Sequence, residues 1–156
     1  MNFVELDQKL PIDYVANFAL IKDGKILLEK SSNSSIGWKL PGGHVEPFEE
    51  PHIAVKREVR EELGVEINFI SKPLFPTEEL HESLPTPFAS YRHTLENDGT
   101  TKTKHKNICF AYLVSSDAEP KPLEGQELKW FTNKEIEDSN ILPIVKTLCK
   151  EALKTS

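Results

Sequence analysis

Arg57, Glu58, Glu61 and Glu62 crowd three carboxylates and a guanidinium into one short stretch of the chain. Glu58, Glu61 and Glu62 stand at i, i+3 and i+4, the spacing that places side chains on one face of a helix. Like charges so arranged repel and weaken the helix that carries them. Two readings answer that cost. In one, the face is simply solvated and diluted by Arg57 and Arg60 beside it. In the other, the face awaits a hard cation, since carboxylate oxygens are what Mg²⁺ takes, with waters and substrate phosphates completing its shell. The helix taken alone favours the first.

The flanks shift the balance to the second. Pro41-Gly42-Gly43 lies just ahead of the helical stretch. Two glycines there permit a turn that a Cβ would resist and let backbone N–H groups approach a ligand. Glu49 stands before the helix, where an acid complements the helix dipole. If the chain folds back, Glu49 can also form a bidentate pair with Arg57 and hold the loop against the helix. Lys39 and His44 bracket the turn; each reads equally as a phosphate contact or as an ordinary surface residue.

The elements that must position these groups can be read from periodicity. Pro51 to Leu63 is helical, with Ile53, Ala54, Val55, Val59 and Leu63 as its apolar positions. Pro51 suits the first turn and Gly64 the residue past the end. Tyr14 to Lys30 reads as a hairpin about Asp23-Gly24. Trp38-Lys39-Leu40 is short and extended, and Val65 to Ile70 is a strand. Prolines break up the stretch from Leu74, which ends in an extended piece over Phe88–Leu95, with a turn at Asn97-Asp98-Gly99. Ile108–Val114 and Leu128–Phe131 are strands; Thr132–Asp138 and Pro143–Leu153 are closing helices. Strands interrupted by one helix, then closing helices, predict an α/β or α+β sandwich rather than a purely parallel doubly wound sheet.

The bulk numbers exclude several classes. A length of 156 residues suits one domain, 1–156. Hydrophobic residues at 38% and charged residues at 28% describe an ordinary soluble composition. No apolar run reaches the ~20 residues of a membrane helix, and the N-terminus shows no secretory pattern. The expectations are therefore no membrane and a cytoplasmic location. A net charge of −6 disfavours general nucleic-acid binding, yet a bound metal can supply the charge a small phosphorylated substrate needs. Cys109 and Cys149 lie in no metal-ligand spacing and read as reduced, partly buried thiols.

Gly43 to Val65 resembles the Nudix box. That pattern is Gly, five residues, Glu, seven residues, Arg-Glu, an aliphatic, any residue, Glu-Glu, any residue, Gly and an aliphatic. Gly43, Glu49, Arg57, Glu58, Val59, Glu61, Glu62, Gly64 and Val65 fill every specified position. Many members carry Gly where this chain has Phe48, a position that the pattern leaves free. The resemblance implies a Nudix-type α/β/α sandwich with a mixed central β-sheet. It implies a pyrophosphohydrolase using Mg²⁺ or Mn²⁺ on a small nucleotide-type substrate, as a monomer or homodimer. By motif position Glu58 and Glu62 are the first metal ligands, with Glu61 beside them, and Glu58 is one candidate for the base. Arg57 and Glu49 become a supporting pair, although Glu49 can instead touch the metal through water. Gly43 becomes structural.

An acid from outside the box often joins such sites. Glu124 is the candidate and Glu127 its rival, near the strand that holds Trp130. Trp38 reads as a packing residue. Phe18, Phe88 and Tyr91 are either core or the lining of a base pocket. Lys102, Lys104, His105 and Lys106 read first as a solvated hairpin tip and second as a phosphate contact. Within pyrophosphohydrolases the flanks lean to nucleoside triphosphates, with ADP-ribose, dinucleotides, capped RNA and diphosphoinositols as alternatives. A non-catalytic nucleotide-binding or regulatory module of the same fold is the reading from another class; such modules usually lose a box glutamate or arginine, and none is lost here. An isopentenyl-diphosphate isomerase, which shares the fold, would want a cysteine context that is not present.

Overall fold

The computed structural model describes residues 10–32, 36–71, 74–95, 104–123 and 125–155. The Asn97-Asp98-Gly99 turn, Lys102 and Glu124 fall outside them. In chain order the elements are β1 (Ile12–Lys22), β2 (Lys25–Lys30), β3 (Trp38–Lys39), β4 (Gly42–His44), α1 (Pro51–Leu63), β5 (Asn68–Phe69), β6 (Ala89–Leu95), β7 (His105–Ser115), β8 (Leu128–Phe131), α2 (Asn133–Asp138) and α3 (Pro143–Lys154).

The organising strand is β1, which is apolar on both faces. Ala16, Phe18 and Leu20 point to one side and Ala19 and Ile21 to the other, as the two-residue period of a strand dictates. A strand buried on both faces belongs at the centre of a covered sheet. Its neighbour β7 alternates in the same way and runs parallel to it from Ile12↔Lys106 to Leu20↔Val114. Every other pairing is antiparallel, so the sheet is mixed. Its order is β3-β2-β1-β7-β5, with β4 also on β1, β6 on β7 and β8 on β2.

The hairpin turns at Asp23 and Gly24, both at positive φ, as the Asp-Gly signal requires. It zips for only Ile21↔Ile26 and Lys22↔Lys25. Beyond that β1 turns to β4 and β7, and β2 turns to β3 and β8. Helix α1 covers one face through Ala54, Val55, Val59 and Leu63. Helices α2 and α3 cover the other through Ile136, Val145, Leu148, Cys149 and Ala152. This is the expected sandwich. Trp38 packs edge-on against Phe131 at 5.2 Å, and both cysteines are free and buried. Among the described residues no helix is long and apolar enough to cross a membrane.

Some expectations change. Ile53 is exposed; His52 takes the inward place instead, edge-on to Phe69 at 6.2 Å. The strand over Val65–Ile70 shrinks to Asn68–Phe69. His105 and Lys106 are buried rather than at a solvated tip, because β7 begins three residues before Ile108. The parallel register with β1 reaches Lys106, whose N–H donates to the Pro11 carbonyl at 2.9 Å, and His105 pairs with Leu95 on β6.

Gly42 is where β4 crosses β1 most closely. At φ 149° it sits so that a Cβ would lie 2.2 Å from the Ala16 carbonyl oxygen and 2.7 Å from the Asn17 Cα. Both obstacles are backbone of the central strand. Gly42→Ala should therefore cost about 2 kcal/mol or more of stability, read as a lower midpoint in denaturant unfolding. An unchanged midpoint would show that β1 and β4 are not packed this closely.

Candidate active site

The guanidinium of Arg57 is the junction between the loop and helix α1. Its Nε donates to Glu49 Oε2 at 2.8 Å and its Nη2 to Glu49 Oε1 at 2.9 Å, a two-pronged pair. Nη2 also donates to the His44 carbonyl at 3.0 Å. Nη1 donates to Glu58 Oε1 at 3.0 Å and to Glu61 Oε2 at 3.2 Å. The fork's fixed geometry thus engages every one of its nitrogens. The Glu46 N–H donates to Glu49 at 3.1 Å and ties the loop back on itself. Arg57 beside it holds the Glu49 carboxyl below its ordinary range, and Glu49 in turn holds the arginine firmly protonated.

Gly43 lies directly under Glu58. A Cβ there would fall 2.2 Å from Glu58 Oε1. The missing side chain is the space that the carboxylate occupies. Glu58 meets Glu62 on its other side. Burial, then the charges of Glu29 and Glu58, push the Glu62 carboxyl up to about 8, and Lys39 pulls it partly back. One Glu62 oxygen, Oε2, is buried without a hydrogen-bond partner. Such an orphaned oxygen is costly where water cannot reach it, and a hard cation is a natural partner for it. The donor set of Glu58 and Glu62, with Glu29 nearby, therefore fits a divalent ion. Glu61 stands further out, with its side chain 59% exposed and its carboxylate on Arg57. Among the described residues no three acidic, histidine or cysteine side chains are arranged as a ready ligand cage. Arg57 draws Glu58 and Glu61 towards its own guanidinium.

Glu29 escaped the sequence reading. Its only signal is a carboxylate inside the apolar strand KILLEK. The register sets it beside Lys39 on β3 and Leu128 on β8. A cavity of about 450 Å³ opens there, lined by Glu29, Lys39, Gly125, Gln126 and Glu127. Glu127 is mostly exposed and pairs with Lys30 at 3.5 Å. His44 contributes its carbonyl to Arg57, while its ring is 3.9 Å from Asp13.

A second cavity, about 540 Å³, lies between α3 and the sheet. Val15, Leu40, Val145 and Leu148 make its walls, with Asn17, Tyr91 and Asn107 among its polar groups. Lys39 lines both cavities. Of Phe18, Phe88 and Tyr91, only Tyr91 lines this cavity. Phe18 is wholly buried in the α1-side core and Phe88 packs against the α3-side core.

Comparison with known proteins agrees with this geometry. The NUDIX domain family model matches residues 13–148. CTP pyrophosphohydrolase of Escherichia coli K12 is 48% identical over 48 residues, 29% of this chain and only 36% of that protein's length. The crystal structure of a NUDIX-family hydrolase from Clostridium perfringens superposes with a TM-score of 0.70 at 21% identity, covering 90% of this chain and 95% of that one. The MutT NUDIX hydrolase of Burkholderia pseudomallei gives 0.62 at 24% identity, covering 92% and 97%. These two likenesses are likenesses of fold.

Two substitutions test the loop and its junction. Phe48 has a φ of 65° and a fully exposed ring, so its backbone carries strain with no burial to offset it. Phe48→Gly should raise stability by about 1 kcal/mol, seen as a melting temperature higher by roughly 2–4 °C. A lower melting temperature would mean that the ring is held by contacts not seen here. Arg57→Ala strands Glu49 and Glu58 together and should cost about 2–3 kcal/mol. Arg57→Lys should recover little, since an ammonium cannot reproduce the fork. Near-wild-type melting in both variants would contradict this account of the loop.

Proposed function

The chain belongs to the NUDIX family of hydrolases acting on pyrophosphate bonds, and from that premise we propose a divalent-metal-dependent pyrophosphohydrolase of nucleoside-diphosphate-linked substrates, with nucleoside triphosphates and related nucleotides as the preferred class. The observation that carries this reading is the buried, unpartnered oxygen of Glu62 beside Glu58.

Glu58 and Glu62 hold the ion, Mg²⁺ or Mn²⁺, with Glu61 and an acid of the loop before β8, Glu124 or Glu127, completing the acidic surround. When bound, such an ion neutralises charge on the diphosphate and makes a nearby water more acidic. The rest falls to the chain. Arg57 and Glu49 fix the loop so that Glu58 keeps one orientation over Gly43. Glu58 is the first candidate to take the proton of the attacking water. Lys39 faces both cavities and supplies positive charge to a phosphate. Positioning and charge neutralisation are most of what phosphoryl transfer asks of a protein.

The preference for nucleotides rests on the second cavity, whose size suits a small-molecule site of roughly 300–1,000 Å³, and on the short stretch shared with the E. coli CTP pyrophosphohydrolase. A silent nucleotide-binding module draws no support from this site, where Glu49, Arg57, Glu58, Glu61 and Glu62 are all present.

Glu62→Gln keeps shape and removes one charge. Its kcat should fall ~10²-fold or more if the ion contributes several kcal/mol, and Mg²⁺ should raise the melting temperature of the wild type but hardly that of the variant. Metal-free protein adds a pH signature. With the folded pKa raised to about 8, the native state holds more protons than the unfolded chain between its ordinary value and about 8. Stability conferred by protonated Glu62 is thus full at low pH and declines as pH rises to about 8. Glu62→Gln should erase that decline. Wild-type turnover together with an unaltered Mg²⁺ response in the variant would sink the assignment.

A further inference from the structure

The α3-side cavity holds a polar group that none of the described residues satisfies. Asn107 is 9% exposed and lines the cavity on β7. Its Oδ1 is buried and has no hydrogen-bond partner. The other amide of the cavity has a partner for each of its polar atoms: Asn17 donates to the Leu40 carbonyl at 3.5 Å and accepts from the Tyr91 hydroxyl at 3.3 Å. The Cys109 thiol points to a backbone carbonyl, that of Asn107, at 4.0 Å. Around these groups the wall joins aliphatic side chains to Lys39, Arg92 and His93, the last of which stands opposite Asn107 in the β6–β7 register. An orphaned acceptor in such a setting costs free energy until a donor arrives.

The cavity also has a direction. Asn107 is in register with Asp13 on β1, whereas Leu40 bonds to Asn17 on the same strand. Four residues of strand separate these ends by about 13 Å, at about 3.3 Å per residue. Lys39 is next to Leu40 and close enough to Glu62 to act on its charge. One end of the cavity therefore adjoins the carboxylates proposed to hold the metal, and the other presents an unfilled acceptor. A nucleotide with its phosphates at the Lys39 end puts its base at the Asn107 end.

We propose that Asn107 selects the nucleobase by accepting a hydrogen bond from an exocyclic amino group, so that the chain favours amino bases over their keto counterparts. The proposal rests on the nucleotide reading given above. Replacing the amino group by a carbonyl sets an acceptor against an acceptor. A site built to receive an N–H discriminates strongly against the analogue that lacks it, because the buried group is then left unpaired. Adding or removing apolar surface in the same wall discriminates far less.

The test compares matched pairs, CTP with UTP and ATP with ITP, in wild type, Asn107→Leu and Asn107→Asp. For the pair that turns over, wild-type kcat/KM should favour the amino member by at least about tenfold. Asn107→Leu should bring the ratio within about threefold of one. It should fold at least as well as wild type, since an unsatisfied buried group is gone. Asn107→Asp retains an acceptor and should keep the amino preference. The second readout is binding of the monophosphates CMP, UMP, AMP and IMP without metal, where the same order of preference should appear and should vanish in Asn107→Leu. A keto preference in wild type, or a ratio unchanged in Asn107→Leu, overturns the assignment of Asn107. No hydrolysis of any nucleotide with Mg²⁺ or Mn²⁺, alongside Asn107-dependent monophosphate binding, overturns the hydrolase reading and leaves Asn107 as the base reader.

Discussion

The structure around the site depends on one guanidinium. Arg57 reaches the loop carboxylate Glu49, the loop carbonyl of His44 and two carboxylates of its own helix. Without it, the loop between β4 and α1 would have little reason to lie against the helix, since Glu50 at the N-cap makes no side-chain cap bond. A planar fork that meets a carboxylate with two parallel bonds fixes distance and orientation together. The same group lessens the repulsion among the glutamates that follow it, which a helix with three acids on one face requires. Holding the loop and tolerating the acidic face are thus one interaction.

That interaction is incomplete by design of the spacing. Arg57 serves Glu58 and Glu61 but not Glu62, which is half-buried among like charges with one oxygen unmatched among the described residues. Local packing makes this worse: Gly43 admits the Glu58 carboxylate close against β4, and β2 brings Glu29 near from the other side. A fold optimised only for stability would not collect carboxylates in this way. The accumulated negative charge is a cost that a hard cation would relieve.

The parting of β1 from β2 gives the site its breadth. After two pairs of residues the strands separate, each to its own partners. The acidic helix covers one face and α3 covers the other, with β3 and Lys39 between the two cavities that result. The second cavity joins apolar side chains to a few polar groups, the composition of a small-molecule site.

Much of this was legible in the chain by itself, where the determinant was local. The spacing of Glu58, Glu61 and Glu62, the Glu49–Arg57 interval, the Asp23-Gly24 turn and the limits of α1 are all set within a few residues of themselves. The order of strand-like and helix-like runs was enough for an α/β or α+β sandwich, and the resemblance to the Nudix box added the mixed central sheet. What tertiary structure alone decided is what depends on partners distant in the chain. Ile53 and His52 exchange places because Phe69, beyond the helix, offers its ring. His105 and Lys106 are buried because β7 pairs with β6 and β1 further than its apolar run extends. Glu29 joins the acidic cluster, and Asn107 meets the cavity, only through strand registers that no single segment encodes. A strand's face can be read from its own alternation, but what lies across from that face depends on a pairing chosen elsewhere in the chain.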